Sequence, residues 1–173
     1  MAKRSFQVAT FTPTATADTT NFAATTFMYL SGGNATQQLN IIEIYEGGQA
    51  TSSAVNIMQL ARVSTVATTP TALAAPNSDG PLSSNTQALA TAPISCWTAT
   101  GFPQRSAATI DARLNLTFNA FGGIVRWQAA PGEEWGIIGN AVSSATQGGP
   151  AILSAFTGGS VGLMGAHIIY EPI

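Results

Sequence analysis

The sequence predicts an all-β fold, a single-domain antiparallel β-sandwich or jelly roll, and three observations carry that expectation. The first is in–out alternation. From Asp111 to Asn119, Ala112, Leu114, Leu116 and Phe118 fall on one side and Asp111, Arg113, Asn115, Thr117 and Asn119 on the other, the pattern of a half-buried strand with one wet face. The second is punctuation. Gly-Gly pairs stand at 32–33, 47–48, 122–123, 148–149 and 158–159, and glycine reaches positive φ without a steric penalty, so such pairs mark tight turns or bulges. The third is composition. Charged residues make up 8% of the chain, against about 25% in an ordinary soluble domain. Lys occurs once, at Lys3, which leaves little from which to build exposed helix faces, whereas the abundant Thr suits pleated, half-buried strands.

Taken in order, Phe6, Val8 and Thr10 alternate with Gln7, Ala9 and Phe11 in a first strand, and Phe22 to Leu30 gives a second. Leu39 to Glu46 reads as a strand with apolar residues on both faces. Ser53 to Arg62 is ambiguous: Val55, Met58 and Arg62 have helix-like spacing, Val55, Ile57 and Ala61 strand spacing. The strand is preferred because Val63, Thr65 and Val66 continue the β-branched run. Ala67 to Pro93 breaks the pattern with Pro70, Pro76, Pro81 and Pro93 among Thr, Ala, Ser and Asn, and holds the turn signal Asn77-Ser78-Asp79-Gly80-Pro81. A connection of this length is either a surface excursion or an arm reaching a neighbouring subunit. Asp111 to Asn119, Gly123 to Gln128, Trp135 to Val142, Ala151 to Phe156 and Val161 to Tyr170 complete the set. About eight short strands with glycine turns point to a sandwich or jelly roll. With no linker and no internal repeat, residues 1–173 read as one domain, and that length suits one core.

The same composition narrows the function. Net charge is −2 and pI about 5.1. The six basic residues, Lys3, Arg4, Arg62, Arg105, Arg113 and Arg126, are spread over the whole chain. No basic face is expected, and nucleic acid is not an expected partner. The single cysteine, Cys96, excludes an intrachain disulfide. No apolar h-region follows the N-terminal Met1-Ala2-Lys3-Arg4, so no signal peptide is expected, and no apolar run reaches the ~20 residues of a membrane helix. A surface so poor in charge lacks the usual protection against association. Two explanations fit: neighbouring subunits cover it, or hydroxyls and amides keep it soluble. The covered surface is the preferred one.

Little catalytic chemistry is legible. His167 is the sole histidine, flanked by Ala166, Ile168 and Ile169, and reads as a packed strand residue rather than a base. No Gly-x-Ser-x-Gly elbow occurs. One His and one Cys cannot close a zinc site, and no loop has calcium-binding spacing. Glu43 with Glu46, or Glu133 with Glu134, would offer carboxylate pairs, but the latter sit in Pro131-Gly132-Glu133-Glu134-Trp135, simplest as a solvated turn tip. The expectation is therefore no enzyme, no metal and no cofactor. Of Trp97, Trp127 and Trp135, Trp127 reads as core because Val125 flanks it at strand spacing, and Trp135 as the better surface aromatic. Arg126 projects to the face opposite Trp127. Arg126, Glu133, Glu134 and Trp135 are thus the candidate interface residues.

Three segments carry a resemblance: Glu43-Ile44-Tyr45-Glu46-Gly47-Gly48-Gln49-Ala50-Thr51-Ser52-Ser53-Ala54-Val55-Asn56; Phe118-Asn119-Ala120-Phe121-Gly122-Gly123-Ile124-Val125-Arg126-Trp127-Gln128-Ala129-Ala130-Pro131-Gly132-Glu133; and the ending His167-Ile168-Ile169-Tyr170-Glu171-Pro172-Ile173. Together, about a fifth of the chain, they resemble small virion structural proteins of tailed bacteriophages, of the capsid decoration or cement type. The resemblance implies a β-sandwich or jelly-roll subunit, commonly a homotrimer, that bridges major capsid protein subunits on the capsid surface after synthesis in the host bacterial cytoplasm. It implies no catalysis and no cofactor, and transfers no individual site residue. The alternative is a carbohydrate- or receptor-binding β-sandwich module of a phage tail.

Overall fold

The structure, a computed structural model, describes residues 6–12, 28–31, 38–53, 55–62, 94–96, 111–119, 121–138, 151–157 and 163–173. Among them there are strands and no helix: β1 (Phe6–Thr12), β2 (Met28–Ser31), β3 (Gln38–Gln49), β4 (Val55–Arg62), β5 (Ile94–Cys96), β6 (Asp111–Asn119), β7 (Phe121–Gln128), β8 (Trp135–Ile138), β9 (Ala151–Thr157) and β10 (Leu163–Pro172). The chain is all-β in its described part, as the alternation and the scarcity of helix-surface residues predict. The ambiguous segment at Ser53 to Arg62 is strand β4. Three-residue β5 was not expected, because beside Pro93 it is too short to display a period. The long segment Ala67–Pro93 lies outside the described residues.

Every ladder is antiparallel, and the pairing is nested. The first strand pairs with the last, β1 with β10; the second with the second-last, β2 with β9; β3 then pairs with β7 and β8, and β4 with β6. Two further ladders, β10 with β3 and β9 with β4, gather these pairs into two sheets. One sheet has the order β1-β10-β3-β7, with β8 also on β3; the other has the order β5-β2-β9-β4-β6. The inner faces share one apolar core. Leu39, Ile41, Ile44, Trp135, Ile137, Ala166, Ile168 and Tyr170 come from the first sheet, and Leu30, Met58, Leu60 and Phe118 from the second. Most of the large side chains among these are below 2% exposed, and full burial of one stabilises by about 1.5–3 kcal/mol.

Strand β3 is the spine of the first sheet, and it carries an irregularity at Ile42. Against β10 the register shifts between Ile169, opposite Glu43, and Tyr170, opposite Ile41, so Ile42 is left over as a bulge. On the other side, β7 pairs with Glu43–Gln49 and β8 with Gln38–Ile41. The chain from Phe121 to Ile138 is therefore one edge strand that leaves the sheet opposite Ile42 and returns at Trp135. Ala129 N–H donates to the Ile42 carbonyl at 2.9 Å as it departs.

Between β6 and β7 the chain crosses from one sheet to the other within a few residues. Asn119 Oδ1 accepts the Phe121 N–H at 2.9 Å, and Gly122 has φ 77°. Gly123 lies so close to the reversing chain that a Cβ there would sit 2.5 Å from the Asn119 carbonyl oxygen. The pair Gly122-Gly123 thus makes the corner, one residue by its dihedral and the other by its lack of a side chain. By contrast, Gly47-Gly48 lies inside β3, where the register against β7 shifts between Gly47 and Gln49, and marks a bulge rather than a turn.

Gly123→Ala is expected to lower stability by about 1–3 kcal/mol, because the clash is with backbone that cannot rotate away. At Gly132, where φ is 85° but no atom lies within 4 Å of a Cβ, alanine should cost about 1–2 kcal/mol from the dihedral alone. Urea midpoints of the two variants check the order; equal stability of wild type and Gly123→Ala would exclude the close approach.

Candidate functional site

The chemistry-bearing side chains divide between the two faces of β3. Because directly opposed residues share a face, the register places Tyr45 beside both Arg126 and His167, and Glu43 beside Gln128. These five form a cluster on the face of the first sheet that points away from the core. Arg126 forms an ion pair with Glu43 through Nε. Its guanidinium stands 5.2 Å from the Tyr45 ring centroid, and Nη2 donates to Gln128 Oε1 at 3.4 Å. The His167 and Tyr45 ring centroids are 5.8 Å apart at 41°. Arginine, tyrosine and histidine thus run in a row across β7, β3 and β10.

The electrostatics follow from this geometry. Burial would push the Glu43 carboxyl up, but hydrogen bonds from Arg126 and Tyr45 and the Arg126 charge hold it below the ordinary value of 4.5. The hydrogen bond to Glu43 raises the Tyr45 phenol, with burial adding to it. Burial lowers the His167 imidazole, partly opposed by the Glu43 charge. His167 is packed as its apolar neighbours predict, yet its Nε2 has no hydrogen-bond partner. An ionised Glu43 tied to arginine and a neutral His167 beside a ring make a polar patch.

Glu46 lies on the opposite face of β3, because an odd spacing along a strand divides it from Glu43, so the two do not form a carboxylate pair. Glu46 is opposite Ala166 and Val125, is 1% exposed, and neither carboxylate oxygen has a hydrogen-bond partner. Burial pushes its carboxyl up to about 8, so it is held as the neutral acid at pH 7.

The candidate interface residues Arg126, Glu133, Glu134 and Trp135 lie on β7, on the turn that follows it and at the start of β8. Ala130-Pro131-Gly132-Glu133 forms a turn closed by Glu133 N–H to the Ala130 carbonyl at 2.9 Å, with Gly132 at φ 85°. Pro at the second position and positive-φ Gly at the third fit a type II turn. Glu133 is exposed at its tip, while Glu134 is half-buried and folds back to accept the Gly132 N–H at 3.1 Å. Trp135 is the correction. It is 8% exposed and belongs to the core, because the chain re-enters the sheet there with this side chain facing inward. The Arg62 guanidinium of β4 stands 5.0 Å from its ring centroid and donates through Nε to the Gly136 carbonyl at 3.1 Å. This contact ties the second sheet to β8. Trp127 is half-buried and packs on the core as its spacing predicts, and Arg126 faces the other way. Trp97 lies outside the described residues.

Sequence reasoning missed Tyr45 and Gln128 as members of the patch. Their alternation with apolar residues was visible, but which strands flank them was not. Among the described residues no group of three or more His, Cys, Asp and Glu converges to hold a metal, and no helix is long and apolar enough to cross a membrane. No known family model matches the chain, and no curated protein matches it at a significant level.

Glu46 makes stability depend on pH in a definite direction. Below pH 4.5 the carboxyl is neutral in both folded and unfolded chains and the full stability is present. From 4.5 to about 8 only the unfolded chain releases the proton, so stability falls as pH rises, by on the order of 3 kcal/mol at pH 7. Glu46→Gln should remove this fall and be the more stable protein at pH 8. Urea unfolding at pH 5 and pH 8 tests it, and a wild type with equal midpoints would contradict the buried neutral acid. In the outer patch, Arg126→Ala should move the Glu43 titration upward in a carboxyl-carbon NMR experiment, since burial then acts with less opposition.

Proposed function

We propose that this chain is a non-enzymatic virion structural protein, a capsid cement or decoration subunit that associates with itself and bridges major capsid protein subunits on the capsid surface. The observation that carries the reading is the strand order. Nested antiparallel pairing, with one sheet ordered β1-β10-β3-β7/β8 and the other β2-β9-β4-β6 and β5 at an edge, is the order that a long hairpin rolled into a jelly roll would have, and so supports the reading of a single-domain jelly roll. Jelly rolls are recurrent capsid architecture, although they also serve as lectins and enzymes. Three further features support the structural choice. The chain has 8% charged residues, Arg126 on the outer face of the first sheet is paired with Glu43, and Val55, Phe121, Ile124 and Ile173 are 60% or more exposed. A subunit seated among others has use for such a surface. The resemblance of three segments to phage cement proteins points the same way.

The carbohydrate-binding alternative is weakened by the burial of Trp135, the aromatic expected to stack on a sugar ring. The expected outcome for the cement reading is that purified chain co-sediments with empty heads of the phage that encodes it and raises the temperature at which they rupture. A chain that stays monomeric at high concentration and leaves those heads unbound would sink the reading.

A further inference from the structure

The inner face of the first sheet carries an acid with no polar counterpart beside it. Glu46 is 1% exposed, and neither carboxylate oxygen has a hydrogen-bond partner. It shares its row with Ala166 of β10 and Val125 of β7, and the next row holds Ile44, Ile168 and Trp127. Met58, Leu60 and Phe118 join the same core from the second sheet. Among the described residues the other charged or titratable groups near these strands stand elsewhere. Tyr170 is on the inner face opposite Ile41, and burial pushes its phenol up, so it stays neutral. Arg62 is at the Trp135 end of the core, bonded to the Gly136 carbonyl, with Asp111 opposite it in register. Glu43, Tyr45, Arg126 and His167 are on the outer face.

The two neighbours in the Glu46 row are not held alike. β10 lies between β1 and β3, whereas β7 pairs with β3 alone among the described strands. Ala166 is 4% exposed, while Val125 is only half-buried. The β3–β7 register is interrupted between Gly47 and Gln49, next to Glu46, and beyond Gln128 the chain leaves the sheet. A carboxylate requires water or a partner, and the shortest way to admit water here is to lift β7. We propose that Glu46 is a proton-sensitive latch: protonated, it seals β7 onto β3; deprotonated, it is hydrated by a local opening of β7 while β3 and β10 stay paired. Such openings draw on the least protected segment of a fold and leave the rest in place. The latch does not depend on the capsid reading.

Burial fixes the sense of the switch, since it pushes the Glu46 carboxyl from 4.5 up to about 8. Below pH 4.5 the acid is neutral whether β7 is closed or open, and the latch is fully shut. From 4.5 to about 8 only the open form releases the proton, so opening grows by about tenfold per pH unit and then levels off. The Arg126–Glu43 ion pair keeps its charges across this window, because the Glu43 carboxyl, despite burial, is held below 4.5 by Arg126. Burial lowers the His167 imidazole from 6.5, so its titration favours the closed form as pH rises, the opposite sense.

Backbone groups alternate sides along a strand. The bond from Ala129 N–H to the Ile42 carbonyl therefore turns the amides of Val125 and Trp127 toward β3, and leaves Tyr45 and His167 to address each other. Hydrogen exchange from pH 5 to pH 8, expressed as protection relative to an unfolded chain, reads the two ladders separately. Protection at Val125 and Trp127 should fall by about tenfold per pH unit in wild type, and should stay level in Glu46→Gln. Glu46→Met, which keeps the length of the side chain without titrating, should behave as Glu46→Gln does. The same linkage weakens the whole fold, so low urea distinguishes local from global opening. At pH 8, Val125 and Trp127 should exchange roughly tenfold or more faster than Tyr45 and His167. Their exchange should barely respond to low urea, while that of Tyr45 and His167 follows the slope of global unfolding. Protection of β7 that is constant with pH in wild type, the same fall in both Glu46 variants, or equal protection and equal urea slopes in the two ladders would overturn the latch.

Discussion

The ladder between β3 and β10 holds the first sheet together, and the remaining architecture depends on its faces being kept distinct. Ile44 and Ile168 stand opposite each other on one face, Tyr45 and His167 on the other. The first pair packs against Met58, Leu60 and Phe118 of the second sheet; the second pair builds the polar patch. A slip of one residue would exchange the two sets and put an ion pair where the core is. The bulge at Ile42 is compatible with this constraint because it adds its residue between Ile41 and Glu43, after which both inward positions resume at Ile44.

The nested pairing has a physical logic of its own. Pairing the first strand with the last requires closing nearly the whole chain, a loop whose entropy cost grows only slowly with length. Its gain comes when the inner pairs, β4 with β6 and β3 with β7, already supply apolar faces to cover. The corner at Asn119 to Gly123 is what lets those two inner pairs lie in different sheets with almost no connecting chain. It relies on local chemistry, an asparagine side chain closing a short turn and two glycines, each required for a different reason.

Much of this was legible in the sequence wherever one face is wet and the other dry. The alternation from Asp111 to Asn119 and the opposite facing of Arg126 and Trp127 follow directly from a two-residue period. Pro131-Gly132 announces its turn. The period could not reveal neighbours in space, which is why Tyr45 joins Arg126 and His167 without forewarning. It also misjudged Trp135. Two preceding carboxylates suggested an exposed aromatic, but their exposure belongs to the excursion at 129–134, and the tryptophan is where the chain rejoins the sheet. Glu46 shows the converse limit: a carboxylate on the inward side of a strand breaks the pattern, and only its surroundings reveal that it is retained as a neutral acid.

The excursion between β7 and β8 starts and ends on the same edge of β3, with the ladders on either side of it fixed independently by Glu43–Gln49 and Gln38–Ile41. Its length is thereby uncoupled from the alignment of the sheet. Lineages of this protein could extend or shorten the Pro131-Gly132 tip without rebuilding the interior, and a foreign peptide spliced there would be carried outward on an already rigid stem. Evolution and engineering would then share one address for new recognition, where the edge strand steps away from its partner between β7 and β8.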